Sequence, residues 1–148
     1  MTSGAKEPGC VLCRALEGAG GPDSLVIHVG AHDFVVMNRY PYNPGHIMIA
    51  PRRHVGTLQD ATAEELTEMM SLARRAEEAF REAYKPDGMN IGMNLGRPAG
   101  AGVADHIHLH AVPRWTGDTN FMGVVAEVRV IPEDAVAAAA RLRPYFAR

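Results

Sequence analysis

Apolar positions over residues 62–84 recur at the spacing of one helix face: Leu66, Met69, Met70, Ala73, Ala76, Ala79, Phe80 and Ala83. Thr62 and Glu65 have capping-box spacing, so each side chain can satisfy a backbone donor orphaned at a helix start. Pro86-Asp87-Gly88 stops the segment. Elsewhere the period shortens to two or the run is briefly apolar, which predicts strands over 24–29, 34–37, 46–50 (closed by Pro51), 89–96 and 124–131. A turn near residues 30–32 makes the first two a hairpin. A short helix is expected over 13–17, ended by the glycine-rich 18–22. Pro132 is read as the start of a C-terminal helix rich in alanine (135–140). Residues 1–9 read as a flexible lead-in, and no repeat, linker or second domain interrupts 1–148. Strands outnumber helices and hairpin-like links predominate. The expectation is one α+β domain: an antiparallel sheet with one long helix and a C-terminal helix.

Composition narrows the class of partner. The chain has 148 residues, 15 Lys+Arg against 17 Asp+Glu, and a formal net charge of −2. Without a basic excess, neither nucleic acid nor a membrane surface is an expected partner. No apolar run reaches the length of a membrane span and residues 1–8 lack a signal-peptide core, so a soluble, cytoplasmic protein is expected. A small anionic ligand needs only a local site.

That site is written at residues 106–112. His106, His108 and His110 alternate with Ile107, Leu109 and Ala111. As a strand, this sets the three imidazoles on one face, roughly 6.6 Å apart, and the aliphatic residues toward the core. Imidazole serves as nucleophile, acid, base or ligand near neutral pH. His108, flanked by the other two, suits nucleophilic attack on phosphorus, splitting one displacement into two. Developing phosphoryl charge would need donors, which His110 and the backbone of Gly100, Ala101 and Gly102 could supply. Arg114 and Trp115, just beyond, could hold a further phosphate or stack on a base. A zinc triad is the rival chemistry. Three same-face positions span roughly 13 Å, too long for one ion on an unbent strand, although two of the three could share one. The proline-punctuated loop 38–45 carries side chains suited to binding. His28 and His32 read as surface residues. Cys10 and Cys13 form a CxxC that could be half a zinc site, a redox pair or an accident, and a zinc site would need histidines or carboxylates besides.

The run His106-Ile107-His108-Leu109-His110-Ala111-Val112 resembles the histidine triad (HIT) motif at every position. The similarity extends from about Phe34 to about Ile131 and includes Asn38, Asn94-Leu95-Gly96 and Pro113-Arg114-Trp115. Within the superfamily it is most similar to the fragile-histidine-triad-like branch, and more narrowly to bacterial diadenosine tetraphosphate phosphorylases. Those share Tyr40-Pro41-Tyr42-Asn43-Pro44-Gly45-His46 and the Gly117-Asp118-x-Asn120-Phe121 extension. The resemblance implies a homodimer whose half-sheets join, and a purine nucleotide or dinucleoside polyphosphate as partner. It implies a nucleotidyl-histidine intermediate on His108, resolved by phosphate or water. His110 would touch phosphate, His46 would support the triad, Asn38 would meet ribose, and Asn94 ribose or α-phosphate. It also implies a structural zinc held by Cys10, Cys13, His54 and His106, with no catalytic cofactor. His46 and His54 lie eight residues apart, roughly 26 Å if extended, so they are not expected to serve one ion. One departure stands out. Where relatives carry Gln, Ser or Thr before the triad, this chain has Ala101, Gly102 and Val103, leaving backbone donors alone. A nucleoside phosphoramidate hydrolase and a nucleotide sensor with little turnover are the alternatives.

Overall fold

A computed structural model of the protein describes residues 9–39, 44–103, 105–118 and 133–147. Five strands form one antiparallel sheet: β1 (Val26–Val29), β2 (Asp33–Met37), β3 (Ile47–Pro51), β4 (Gly88–Met93) and β5 (Leu109–Arg114). Their spatial order is β1-β2-β3-β5-β4, so β1 and β4 are the edges. Three α-helices, α1 (Val11–Glu17), α2 (Ala63–Ala83) and α3 (Ala135–Phe146), and a 3-10 turn (Arg97–Ala99) complete the described elements. The strand expected over 124–131, the Tyr40 to Asn43 part of the loop motif, Asn120-Phe121 and nearly all of the lead-in lie outside the described residues.

Strand alternation sorts the apolar residues between two cores. Ile27, Val35, Met37, Ile47, Ile49, Leu109 and Ala111 meet α2 and α3 on one face. Val26, Phe34, Val36 and Ala50 meet α1, through Cys10, Leu12, Cys13 and Leu16, on the other. The capping box forms as read: the Glu65 N–H donates to Thr62 Oγ1 (3.0 Å), and the Thr62 N–H donates to Glu65 Oε1 (2.8 Å). The buried stripe of α2 is slightly rotated from the expected one. Leu72 and Glu65 are buried, whereas Met70 is 59% exposed.

Three boundaries differ from the reading. Strand β3 continues through Pro51, which pairs with Asp33 at the sheet margin. Helix α3 begins at Ala135, where the Asp134 carboxylate accepts the Ala137 N–H (3.0 Å), and it runs on to Phe146. Strand β5 begins only at Leu109, so His106 and His108 approach it in irregular backbone and His110 alone lies within it. His28 is half-buried, its ring tilted against Phe146, while His32 is exposed.

Candidate active site

The α1 face of the sheet carries the histidines. His110 pairs with Met48 on β3 and with Gly92 on β4. Val112 pairs with Asn90 and Arg114 with Gly88, continuing the same face toward the end of β5. A Cβ added to Gly92 would meet nothing within 4 Å, so the floor beside His110 is unobstructed. Gly45, with φ +83°, turns the chain into His46 where a Cβ would press to 3.0 Å from the Tyr84 ring.

The three triad histidines divide the work. His106 is fully buried, its Nε2–H donating to the Pro51 carbonyl (2.8 Å). That leaves Nδ1 facing Cys10 Sγ (3.3 Å) and Cys13 Sγ (3.6 Å). His54 Nδ1 lies 3.5 Å from Cys13 Sγ. All four ligand atoms lie within 4.8 Å of one another. A tetrahedral zinc with two sulfur and two nitrogen ligands has edges of about 3.6 Å, and a metal-ligating imidazole normally donates its other N–H to a carbonyl. The donor set fits a possible metal site on both counts. Burial chiefly, opposed by the Pro51 hydrogen bond, pulls the His106 imidazole down to about 4, so it is neutral as a ligand must be.

His108 turns the other way. Its Nδ1–H donates to the His106 carbonyl (2.9 Å), leaving Nε2 with its lone pair. Its ring stands edge-on to His110, with centroids 4.9 Å apart, closer than the strand repeat because the rings lean together. His110 Nδ1 meets His46 Nε2 at 2.9 Å, and the Asn38 amide nitrogen lies 3.2 and 3.5 Å from Nδ1 and Nε2 of the His46 ring. Burial, then the neighbouring histidines, pulls His46 down to about 4, and burial with His108 also lowers His110. These rings are neutral near pH 7, the form in which one nitrogen accepts and the other donates.

The remaining expected residues are placed less uniformly. The loop after β4 folds back over Asn94: a Cβ on Gly100, itself at φ +101°, would come within 3.7 Å of the Asn94 amide nitrogen. Asn94, Gly100 and Gly102 are exposed and Ala101 is buried. Arg114 is already engaged. It donates from Nε and Nη2 to the two Asp118 carboxylate oxygens (3.1 and 2.9 Å) and from Nη1 to Asn90 Oδ1. Asp118 also accepts the Trp115 N–H (2.8 Å), so this cluster fixes the loop beyond β5. The Trp115 ring stands edge-on to Tyr84 at the end of α2, with centroids 6.4 Å apart. Arg114 follows His110 by four residues, roughly 13 Å along the strand. The structure therefore brings His46, His108, His110 and Asn38 together, and gathers Cys10, Cys13, His54 and His106 beside them. Arg114 and Trp115 stand apart at the strand end. Asn90 and Asp118 were not singled out from the sequence. Asn90 was legible as the alternate, His110-facing position of β4, and Asp118 as a turn acid four residues beyond an arginine.

Comparison with known proteins agrees with this fold. The HIT domain family model matches residues 22–117. An AP-4-A phosphorylase of Mycobacterium tuberculosis is 42% identical over 111 residues, 75% of this chain and 57% of that protein. A bis(5'-adenosyl)-triphosphatase of Dictyostelium discoideum is 35% identical over 81 residues, 55% of this chain and 54% of its own length. The chain thus spans little more than half the length of these curated relatives. A crystal structure of a Zn-bound histidine triad family protein from Mycobacterium smegmatis superposes with TM-score 0.74 at 29% identity, covering 94% of each chain. Motif, sheet and matched span lead to one assignment: this chain belongs to the HIT domain family.

Proposed function

We propose that the protein is an enzyme cleaving dinucleoside polyphosphates of the diadenosine tetraphosphate type at the α-phosphate, through a nucleotide transiently bonded to His108. The observation that carries this reading is the His108 ring itself. With its Nδ1 proton held by the His106 carbonyl, the Nε2 lone pair is the free nucleophile, and it lies beside His110. In the first step Nε2 bonds to the α-phosphorus and the bond to the bridging oxygen breaks, releasing the remaining nucleotide. In the second, water or inorganic phosphate displaces the imidazole and frees the mononucleotide or nucleoside diphosphate. His110 donates to a phosphoryl oxygen and His46 supports it. Of the expected loop donors, the Gly100 and Ala101 N–H groups are spent on the Arg97 and Gly96 carbonyls (2.9 and 3.2 Å), so the Gly102 N–H is the one that supplements it. Asn38 meets the ribose, and Asn94 the ribose or α-phosphate. The relatives named AP-4-A phosphorylase and bis(5'-adenosyl)-triphosphatase support the substrate class.

Zinc would be held by Cys10, Cys13, His54 and His106. When bound, it would supply a structural cross-link between the α1 segment and the triad backbone; no step passes through it. We further propose a single HIT domain over 1–148 that acts as a homodimer. The support is β4, an edge strand on which Ile91 is 43% exposed. The test of the chemistry is to mix the protein with diadenosine tetraphosphate, quench in the cold at high pH and measure the mass of the intact chain. The expected result is an added AMP mass that maps to His108 and is absent from His108→Asn, whose turnover falls at least about a thousandfold. An adduct elsewhere, or undiminished turnover by the variant, overturns the reading.

A further inference from the structure

Strand β4 turns a sparse face to the site. The positions that share the face of His110 are Gly92, Asn90 and Gly88, paired in turn with His110, Val112 and Arg114. All three are exposed. Neither glycine is required by its surroundings: neither has a positive φ, and a Cβ on either would meet nothing within 4 Å. Glycine weakens a strand interior, so two of them on one open face mark a surface that something approaches closely. Between them stands one amide side chain, and its neighbour orients it. A guanidinium only donates, so the arm of Asn90 that meets Arg114 Nη1 is Oδ1. Both carboxylate oxygens of Asp118 hold Arg114 in turn. The other arm of Asn90, the NH2, keeps its protons without a partner among the described residues. The rest of the face is taken. Among the described residues, α1 covers Val26, Phe34, Val36 and Ala50 on β1, β2 and β3. The loop after β4 folds over Asn94, and His46 stands on the β3 side of His110 with Asn38 against it. The open way out from His110 crosses Gly92 to Asn90, about 6.6 Å along the strand and the run of roughly two phosphoanhydride links.

We propose that the Gly88, Asn90 and Gly92 face of β4 seats the leaving half of the substrate: the phosphates beyond the α-phosphate cross the bare floor, and the Asn90 NH2 donates to them. This rests on the reading of His108 and His110 as the centre that meets the α-phosphate. The adenylyl half then lies on the opposite side, toward Asn38, and the substrate runs across the strands from β2 to β4. A glycine at position 92 lets the chain of phosphates lie against the backbone beside His110. The amide at position 90 adds a neutral donor on a face whose one guanidinium is already engaged by Asp118.

The test compares, by titration calorimetry on the full chain, two ligands that share the adenylyl half: AMP and α,β-methylene ATP, whose bridge at the α-phosphate cannot be cleaved. Wild type should bind the triphosphate at least about tenfold more tightly than AMP. Asn90→Asp keeps an oxygen for Arg114 and sets an anion where the NH2 stood. It should weaken the triphosphate about tenfold more than AMP, by like-charge repulsion. Gly92→Val fills the floor where a Cβ meets nothing, and should act in the same direction. Both variants should lose kcat/KM on diadenosine tetraphosphate by about tenfold or more. No preference for the triphosphate in wild type overturns the proposal. So does a preference that survives both substitutions, or a loss shared equally by the two ligands. A Gly92→Val protein that changes its sedimenting mass and keeps the preference gives the face to a second copy, which also overturns it. Should wild type show the preference yet turn over no dinucleotide, the functional reading fails and the subsite stands. Turnover without the preference fails the subsite alone.

Discussion

Asp33 carries both carboxyl oxygens into the interior, where no hydrogen-bond partner meets them among the described residues. Burial first, then the charges of Glu68 and Glu65 on α2, pushes its carboxyl up to about 8. The folded protein therefore holds a proton that the unfolded chain has released above pH 4. Asp33 thus makes stability fall as pH rises from about 4 to about 8, by at most about 1.4 kcal/mol per unit. His46, held down near 4, acts oppositely: its contribution is whole above pH 6.5 and is lost as pH falls toward 4. Urea unfolding of Asp33→Asn should show the variant gaining on wild type across this window, most visibly between pH 6.5 and 8. A constant difference between the two would refute it. Nothing in the string Gly30-Ala31-His32-Asp33 announces this, because an aspartate after a glycine turn is ordinarily a solvated turn former. Burial comes from the crossing of α2, whose Glu68 accepts the His32 and Asp33 N–H groups (3.1 and 2.8 Å). Arg114 was opaque for a similar reason. Its cationic character suggested a phosphate, but three hydrogen bonds, two to Asp118 and one to Asn90, engage all three of its nitrogens.

Helix α2 was the most legible element, since twenty-one residues with a cap and a stripe outweigh any local ambiguity. Its first turn does more than capping. Glu65 is 3% exposed, caps through Thr62, and receives Arg53 Nε and Nη2 at 2.8 and 2.9 Å. The Arg53 bond holds its carboxyl below the usual range against the opposing effect of burial. Thr62→Ala should cost about 1 kcal/mol, the worth of one cap. Glu65→Ala should cost more, about 2 kcal/mol, because it removes both the acceptor of the Thr62 N–H and the carboxylate that pairs with Arg53, which keeps the Asp60 carbonyl. Chemical denaturation of both variants checks the order, and equal losses would refute it. Strand β5 was legible in its faces but not in its start. Alternation placed Ile107, Leu109 and Ala111 inside correctly. It could not show that His106 lies outside the ladder, where its ring meets two thiols more than ninety residues away in sequence.

At the scale of the molecule, two proposed associations can be separated experimentally. If β4 joins a second copy, Ile91→Lys places a charge on the joining strand and should shift sedimentation from dimer to monomer. An unshifted dimer would move the interface elsewhere. If zinc occupies the cysteine and histidine cluster, stripping it with a chelator should lower Tm by several degrees and release about one equivalent per chain, and Cys13→Ser should bind none. The antiparallel α+β architecture was readable from alternation and short links, and the metal cluster only through family likeness. The cluster's separations have a further consequence. Cys10 and Cys13 meet His106 across 96 and 93 residues, and Arg143 of α3 grips the Ser24 and Val26 carbonyls at the entrance to β1. During synthesis, then, both thiols are made more than ninety residues before the His106 imidazole, and β1 waits more than a hundred residues for Arg143. Such a chain remains open to oxidation and to chaperones until those later residues have emerged.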